Sequence, residues 1–174
     1  MRVVTGQLAG LQYKSPKTSS THPMSEKARA ALFQILGDIN GLTVLDAYSG
    51  SGALSIEAYS LGASSLIAID NNKNAIDTIN INLKLLNIEN HIKVINISIE
   101  KWLNMRKDSF DLVLVDPPYN HINHKTVINL STRVKEHGLF VLSWPLNIDK
   151  PQFNNLELLK HKKYGDCQLF FYRG

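Results

Sequence analysis

The stretch Val44-Leu45-Asp46-Ala47-Tyr48-Ser49-Gly50-Ser51-Gly52-Ala53-Leu54 decides the fold. A short apolar run ends in a carboxylate, two glycines follow at alternate positions, and a helix-forming segment begins. This predicts a strand over 43–46, a tight turn and a helix over 53–61 closed by Gly62. The pattern repeats downstream. Strands are expected over 66–70, 92–97 and 110–115. Helices are expected over 72–86, with Ile76, Ile79, Leu83 and Leu86 on one face, and over 100–105. A helix over 127–134 and a strand over 139–142 follow, and strands over 156–161 and 168–172 read as an antiparallel ending. Continuous Val/Ile/Leu strands alternating with helices imply an α/β fold: a largely parallel sheet covered on both faces, three layers deep and Rossmann-like. Ligands in such sheets bind beyond the carboxyl ends of the strands.

Upstream, residues 2–14 alternate around Gly6 and Gly10 and predict a small hairpin. A Ser/Thr/Pro-rich connector runs from Ser15 to Pro23. Ser25 then caps a helix carrying Ala28, Ala31, Leu32, Ile35 and Leu36, which stops at Gly37. The expected organisation is a hairpin and linker over 1–23 and one larger domain over 24–174.

The chain has 174 residues, 44% of them hydrophobic and 20% charged, as an ordinary globular domain requires. Cys167 is the only cysteine, which excludes an intramolecular disulfide and a cysteine-based zinc finger. There is no apolar run of membrane-spanning length and no apolar signal core at the N-terminus, so a reducing, cytoplasmic setting is expected. Residues 1–36 hold Arg2, Lys14, Lys17, Lys27 and Arg29 against Glu26 alone. Residues 37–174 hold equal numbers of each sign, so the net charge of +4 lies entirely at the N-terminal end. That end suits a polyanion, although a solvated surface would carry the same charge.

The glycine turn narrows the ligand. Gly50 and Gly52 allow a tight turn and close backbone approach, and the next helix offers free amides. A dinucleotide fingerprint needs Gly or Ala at position 55, where Ser55 stands, and a P-loop needs a Lys-Ser/Thr pair that is absent. Asp46 would repel a pyrophosphate but suits a cationic ligand such as the amino acid part of S-adenosylmethionine. Asp70 ends the next strand, where a carboxylate can accept from two ribose hydroxyls. Tyr48 could line the same pocket. The alternative is a packing turn with both aspartates as caps.

Asp116-Pro117-Pro118-Tyr119 follows the fourth strand and lies on the same sheet edge. Consecutive prolines make a stiff rim that leaves a carbonyl pointing outward. Asp116 and the Pro117 carbonyl can accept both hydrogens of a planar exocyclic amine, and Tyr119 offers a stacking face. Methyl transfer to an aromatic amine needs this help, because the nitrogen lone pair is delocalised into the ring. Positioning and electrostatics then supply most of the acceleration, with no metal. The alternative is a strand-ending turn. His121 and His124 lack a third ligand and read as a polar loop. Cys167 reads as a buried small apolar residue.

These residues resemble motifs of class I S-adenosylmethionine-dependent amino-methyltransferases. Thr21-His22-Pro23-Met24-Ser25-Glu26-Lys27, running into Arg29-Ala30-Ala31-Leu32-Phe33-Gln34-Ile35-Leu36, is similar to T-R-P-T-S-D-R…R-E-A-L-F-N-I-L. That pattern belongs to the bacterial 16S rRNA guanine-N2 methyltransferases that act on guanine 966. Arg2-Val3-Val4-Thr5-Gly6 with Gly10, and Tyr164-Gly165-Asp166, match as well. The resemblance implies a seven-stranded methyltransferase sheet behind an RNA-contacting extension. It implies S-adenosylmethionine held by Asp46, Tyr48, Gly50, Gly52 and Asp70. An acidic residue is usual after the third strand, near the adenine; Ser98 stands there, with Glu100 close by. The flipped guanine would meet Asp116, Pro117, Pro118 and Tyr119. Arg2, Lys14, Lys17, His22, Lys27 and Arg29 would contact RNA. Ala9 and Gln12 stand where the family is usually basic, His22 replaces an arginine and Met24 a threonine.

The expected function is transfer of a methyl group to guanine N2 in 16S rRNA or the small ribosomal subunit, by a monomer. Two other readings fit parts of the sequence. A DNA adenine-N6 or cytosine-N4 methyltransferase uses a similar tetrapeptide, though 174 residues leave little room for a target-recognition domain. A non-catalytic RNA-binding or ribosome-assembly factor would need none of Asp46, Gly50, Gly52, Asp70 and Asp116.

Overall fold

A computed structural model describes residues 1–15, 24–165 and 167–174. Seven strands form one sheet: β1 Thr43–Ala47, β2 Ser65–Asp70, β3 Ile92–Asn96, β4 Phe110–Val115, β5 Val134–Pro145, β6 Glu157–Tyr164 and β7 Cys167–Arg173. Their order is β3-β2-β1-β4-β5-β7-β6. The first five run parallel, and β7 is antiparallel to both β5 and β6. The chain moves outward from β1 in one direction, then returns to place β4 on its other side. That reversal opens a crevice past the ends of β1 and β4.

Five helices cover the sheet: α1 Glu26–Leu36, α2 Ala53–Ser60, α3 Lys73–Leu85, α4 Ile99–Met105 and α5 His124–Leu130. Leu32 and Phe33 of α1, Leu54 and Ile56 of α2, and Ile79 and Leu83 of α3 pack one face of the sheet. Ile99 and Trp102 of α4 with Val127 and Leu130 of α5 pack the other. The Ser25 cap foreseen in the sequence is present, and Asn72, read as the first residue of its helix, stands outside α3 and caps it. Ser25 accepts from the Ala28 amide at 3.1 Å, and Asn72 from Asn74 at 2.9 Å. Gly37 closes α1 at φ 75°.

Two elements differ from expectation. Asn123 accepts from the Thr126 amide and starts α5 at His124, earlier than its apolar pattern suggests. The helix also ends early, at Leu130. A 3-10 turn over Ser131–Arg133 follows, and Val134 already pairs with Phe110. β5 is therefore three times the length of its predicted core, with a bulge where Phe110↔Val134 gives way to Leu112↔Leu139. His137, at φ 62°, lies inside that bulge. Polar residues there hid the strand.

The N-terminal hairpin is looser than predicted. One antiparallel bridge, Arg2↔Gln12, is flanked by backbone bonds such as Val3 N–H to Leu11 O at 2.9 Å, with a 3-10 turn over Gly6–Leu8 at its tip. Val3 and Tyr13 are buried in the core layer of α1–α3. Glu57 of α2 accepts from the amides of Val4 and Thr5, at 2.8 and 3.1 Å, and from the Thr5 hydroxyl at 2.8 Å. Asn82 of α3 bonds both the amide and the carbonyl of Lys14, at 2.8 and 3.0 Å. Two buried polar side chains thus latch the extension to the sheet domain.

Candidate active site

Register places the two motifs side by side. Ala47 at the end of β1 is opposite Val115 at the end of β4, so Tyr48 and Asp116 are the first residues past adjacent strands. Ala47 is also opposite Ile69, which puts Asp70 on the same edge. The glycine turn, Asp70 and the Asp-Pro-Pro-Tyr segment therefore share the rim of the crevice.

The turn is built from left-handed backbone. Tyr48, Gly50 and Gly52 have φ of 68°, 54° and 81°. A non-glycine residue in that region costs about 1–2 kcal/mol, and such strain gathers at functional sites. Two bonds to β2 hold the turn. Ser49 N–H donates to Ile69 O at 2.9 Å, and Gly50 N–H to Asp70 Oδ2 at 2.8 Å. The other Asp70 oxygen accepts from the Asn72 amide at 2.8 Å. The glycines have different reasons. A Cβ on Gly52 would stand 2.5 Å from Ile79 Cγ1, whereas a Cβ on Gly50 would enter open space.

Asp46 is buried, and its Oδ2 accepts from the Ser55 amide at 3.0 Å and the Ser55 hydroxyl at 2.6 Å. Burial raises its pKa to about 7, against these bonds, and the carboxylates of Asp116 and Asp70 raise it further. Its Oδ1 and the nearby Ser49 Oγ are buried with no protein partner among the described residues. Two unpaired acceptor-capable oxygens beside an open glycine turn fit a ligand that brings hydrogen-bond donors and positive charge.

Across the crevice, Pro117 is buried and Tyr119 half-buried. The Tyr119 hydroxyl lies 2.6 Å from Ser143 Oγ on β5, which orients the ring. Tyr48 is half-buried, and burial raises the pKa of its phenol. Ser98 caps α4 through the Lys101 amide at 3.4 Å. Glu100 is bonded to Thr126 Oγ1 at 2.8 Å on α5.

The basic residues separate. Arg2, Lys14 and Lys27 are exposed, and Arg2 pairs at the surface with Glu26 at 3.3 Å. Lys17 and His22 lie outside the described residues. Arg29 corrects the sequence reading. It is fully buried, donates to Glu57 Oε1 at 2.9 Å and to the Arg2 carbonyl at 2.7 Å, and has no surface to offer a phosphate. A helix face shared with Ala28, Leu32 and Phe33 turns it inward, where Glu57 compensates its charge.

Sequence reading passed over Ser143, Glu57 and Asn82. It weighed Ser55 only as the residue that breaks a dinucleotide fingerprint. The clue to Ser55 was its spacing: a hydroxyl on the first turn of α2 faces back to the strand end. The other three had no local signal, because their partners are 24 to 68 residues away. Among the described residues no cluster of three metal-ligating side chains occurs, and no helix is long and apolar enough to cross a membrane.

This sheet, with β7 reversed between β5 and β6, is the fold of solved S-adenosylmethionine-dependent methyltransferases; one from Streptococcus mutans superposes with a TM-score of 0.71 over 85% of this chain and 48% of its own, at 17% identity. S-adenosylmethionine is the cofactor of that class. An Escherichia coli structure titled as methyltransferase yhhF superposes with a TM-score of 0.86 over 99% of this chain and 97% of its own, at 24% identity. The model of the family described as Conserved hypothetical protein 95 matches residues 1–173, and the chain belongs to that family. The Bacillus subtilis protein YlbH, provisionally named an rRNA methyltransferase, is 29% identical over 99% of this chain and 98% of its own. Ribosomal RNA small subunit methyltransferase D of Buchnera aphidicola subsp. Acyrthosiphon pisum is 32% identical over 74% of this chain and 68% of its own. The family resemblance read from the sequence is thus borne out.

Proposed function

We propose that this chain methylates ribosomal RNA, and that its target is the exocyclic N2 of a guanine in 16S rRNA, at position 966. The coarser part, S-adenosylmethionine-dependent methylation of rRNA, rests on the family and its named relatives. One observation carries the finer part: Asp116-Pro117-Pro118-Tyr119 leaves β4 beside the glycine turn, with Tyr119 fixed on Ser143. An amine held there is next to the cofactor site.

The residues divide as follows. Asp46 Oδ1 and the Gly50–Gly52 turn hold the amino acid part of the cofactor, Tyr48 lines its pocket, Asp70 faces its ribose and the Ser98 segment its adenine. When bound, the cofactor supplies a methyl group made electrophilic by its sulfonium. Tyr119 stacks on a guanine extruded from its helix, at a cost of a few kcal/mol for unstacking, and Pro118 walls the base. The Asp116 carboxylate and the Pro117 carbonyl accept the two N2 hydrogens. This draws the nitrogen toward tetrahedral geometry and aims its lone pair. Asp116 also accepts the proton that N2 sheds. Arg2, Lys14 and Lys27, exposed on the extension and the start of α1, contact RNA phosphates, and Lys17 and His22, outside the described residues, serve the same role. The chain acts as a cytoplasmic monomer on the small subunit or its RNA.

The test is complementation. In cells lacking their own enzyme, this chain should restore N2-methylguanine at the site, mapped by reverse-transcription stops. Restoration by Asp116→Ala would contradict the assignment.

A further inference from the structure

β6 is the outer strand of the sheet, and its residues Glu157 to Lys163 are all exposed. It carries Lys160, His161, Lys162 and Lys163 in succession. Among the described residues no carboxylate stands within ion-pair distance of these three lysines. Register fixes their height in the sheet. Lys162 is opposite Leu169, and Leu169 is opposite Ser143, the residue that holds Tyr119. Lys163 is opposite Gln168, which is opposite Trp144. Two strand spacings, about 10 Å, therefore separate Lys162 from the backbone level of the base clamp. His161 stacks on Phe170 at 4.4 Å and belongs to the α4–α5 face. Strand alternation puts Lys160 and Lys162 on the opposite face with Leu169 and Phe171. That face also carries α1 and the N-terminal extension.

We propose that Lys160 and Lys162, which share one face of the sheet, form a second phosphate-binding strip, level with the base clamp, that grips the rRNA backbone flanking the extruded nucleotide; Lys163 lies on the His161 face and is not part of it. The inference rests on the rRNA reading above. It answers a need of that reading, since the extension has Ala9 and Gln12 in place of basic residues and Arg29 is buried. A flipped base is held only if the strand on either side is held. The extension reaches one side, and the strip lies across the clamp where the other side passes. Cations on an extended edge, with no ion-pair partner among the described residues, match the sign of an RNA backbone.

Lysines also blunt exposed edge strands against self-pairing. Glutamates would serve that purpose equally, so charge reversal separates the two roles. The experiment compares K160E/K162E with K84E/K93E, which has the same net charge but alters exposed lysines at the far side of the sheet. Filter binding to transcribed 16S rRNA between about 50 and 200 mM salt reads affinity and slope. Size exclusion and S-adenosylhomocysteine titration confirm that each variant is folded and monodisperse. The β6 variant should bind at least about tenfold more weakly, with a salt slope lower by about 1.4, as loss of two single-strand phosphate contacts predicts. The control should change less than about threefold. Equal loss in both variants, or loss in neither, would overturn the strip. Methylation is scored separately. A wild-type chain that binds 16S rRNA through these lysines yet leaves no label in it would contradict the functional reading and leave the strip standing.

Discussion

Ser55 donates both its amide and its hydroxyl to one carboxylate oxygen of Asp46, at 3.0 and 2.6 Å, and leaves the other oxygen buried without a partner among the described residues. The strand end and the first turn of α2 are locked together by this pair of hydrogen bonds. The remaining oxygen is the one available to a ligand.

That carboxyl sets a pH dependence. Its pKa in the folded chain is about 7, against the ordinary 3.8, chiefly through burial. Between those values the folded chain holds a proton that the unfolded chain releases. Stability from this group therefore falls as pH rises from about 4 to about 7 and is level above. Asp46→Asn should lack that segment of the curve in chemical denaturation across pH. The cationic ammonium of S-adenosylhomocysteine favours the ionised form, so wild-type affinity should climb through pH 7 in calorimetry while Asp46→Asn stays weak and flat.

The two glycines should fail differently. Gly52→Ala forces a Cβ against buried Ile79 at an unfavourable φ and should cost about 2–4 kcal/mol of stability. Gly50→Ala meets no protein atom. It should cost about 1 kcal/mol from backbone strain alone, yet weaken S-adenosylhomocysteine by about tenfold or more by filling the cradle. Urea melts and calorimetry on both variants separate the effects.

Arg29 and Glu57 form a fully buried pair that also anchors the extension. Removing one partner strands a charge, at about 3–5 kcal/mol. Arg29→Met should therefore lower the urea midpoint sharply. The salt slope of rRNA binding by the fraction that remains folded should not change, because this guanidinium touches no phosphate. A lowered slope would restore Arg29 to the RNA surface.

The clamp should separate chemistry from binding. Asp116→Ala should reduce methyl transfer by about 100-fold or more, as loss of one preorganised electrostatic partner does, with S-adenosylhomocysteine affinity within about twofold. Tyr119→Ala should weaken capture of the base by about 1–3 kcal/mol, the worth of one stacked base. Tyr119→Phe, which keeps the ring and loses the Ser143 bond, should fall between wild type and Ala in single-turnover rates.

The parts legible in the sequence were those fixed by local pattern. Val44 through Leu54 carries strand, turn and helix signals and Phe110 through Tyr119 strand and turn signals, within a dozen residues each, and the sheet aligns them as expected. The expected spans of β4 and α1 match closely because a turn or cap residue bounds each one. Pairings between distant residues were not legible. A single arginine near basic neighbours looks like an RNA contact until Glu57 is seen beneath it. Tyr119 looked like a bare stacking face because Ser143 sits in a strand with no motif. β5 was cut short because its first residues, Lys135, Glu136 and His137, are polar and belong to a bulge that only its partner strand defines.

The central claim is N2 methylation of guanine in small-subunit rRNA. Its most direct test is methyl transfer from labelled S-adenosylmethionine to hypomethylated small subunits, naked 16S rRNA and duplex DNA, with the product nucleoside identified by mass spectrometry. The account predicts label in N2-methylguanine of the rRNA and none in DNA. Label in N6-methyladenine or N4-methylcytosine of DNA would contradict it, as would cofactor binding without methylation of any of the three.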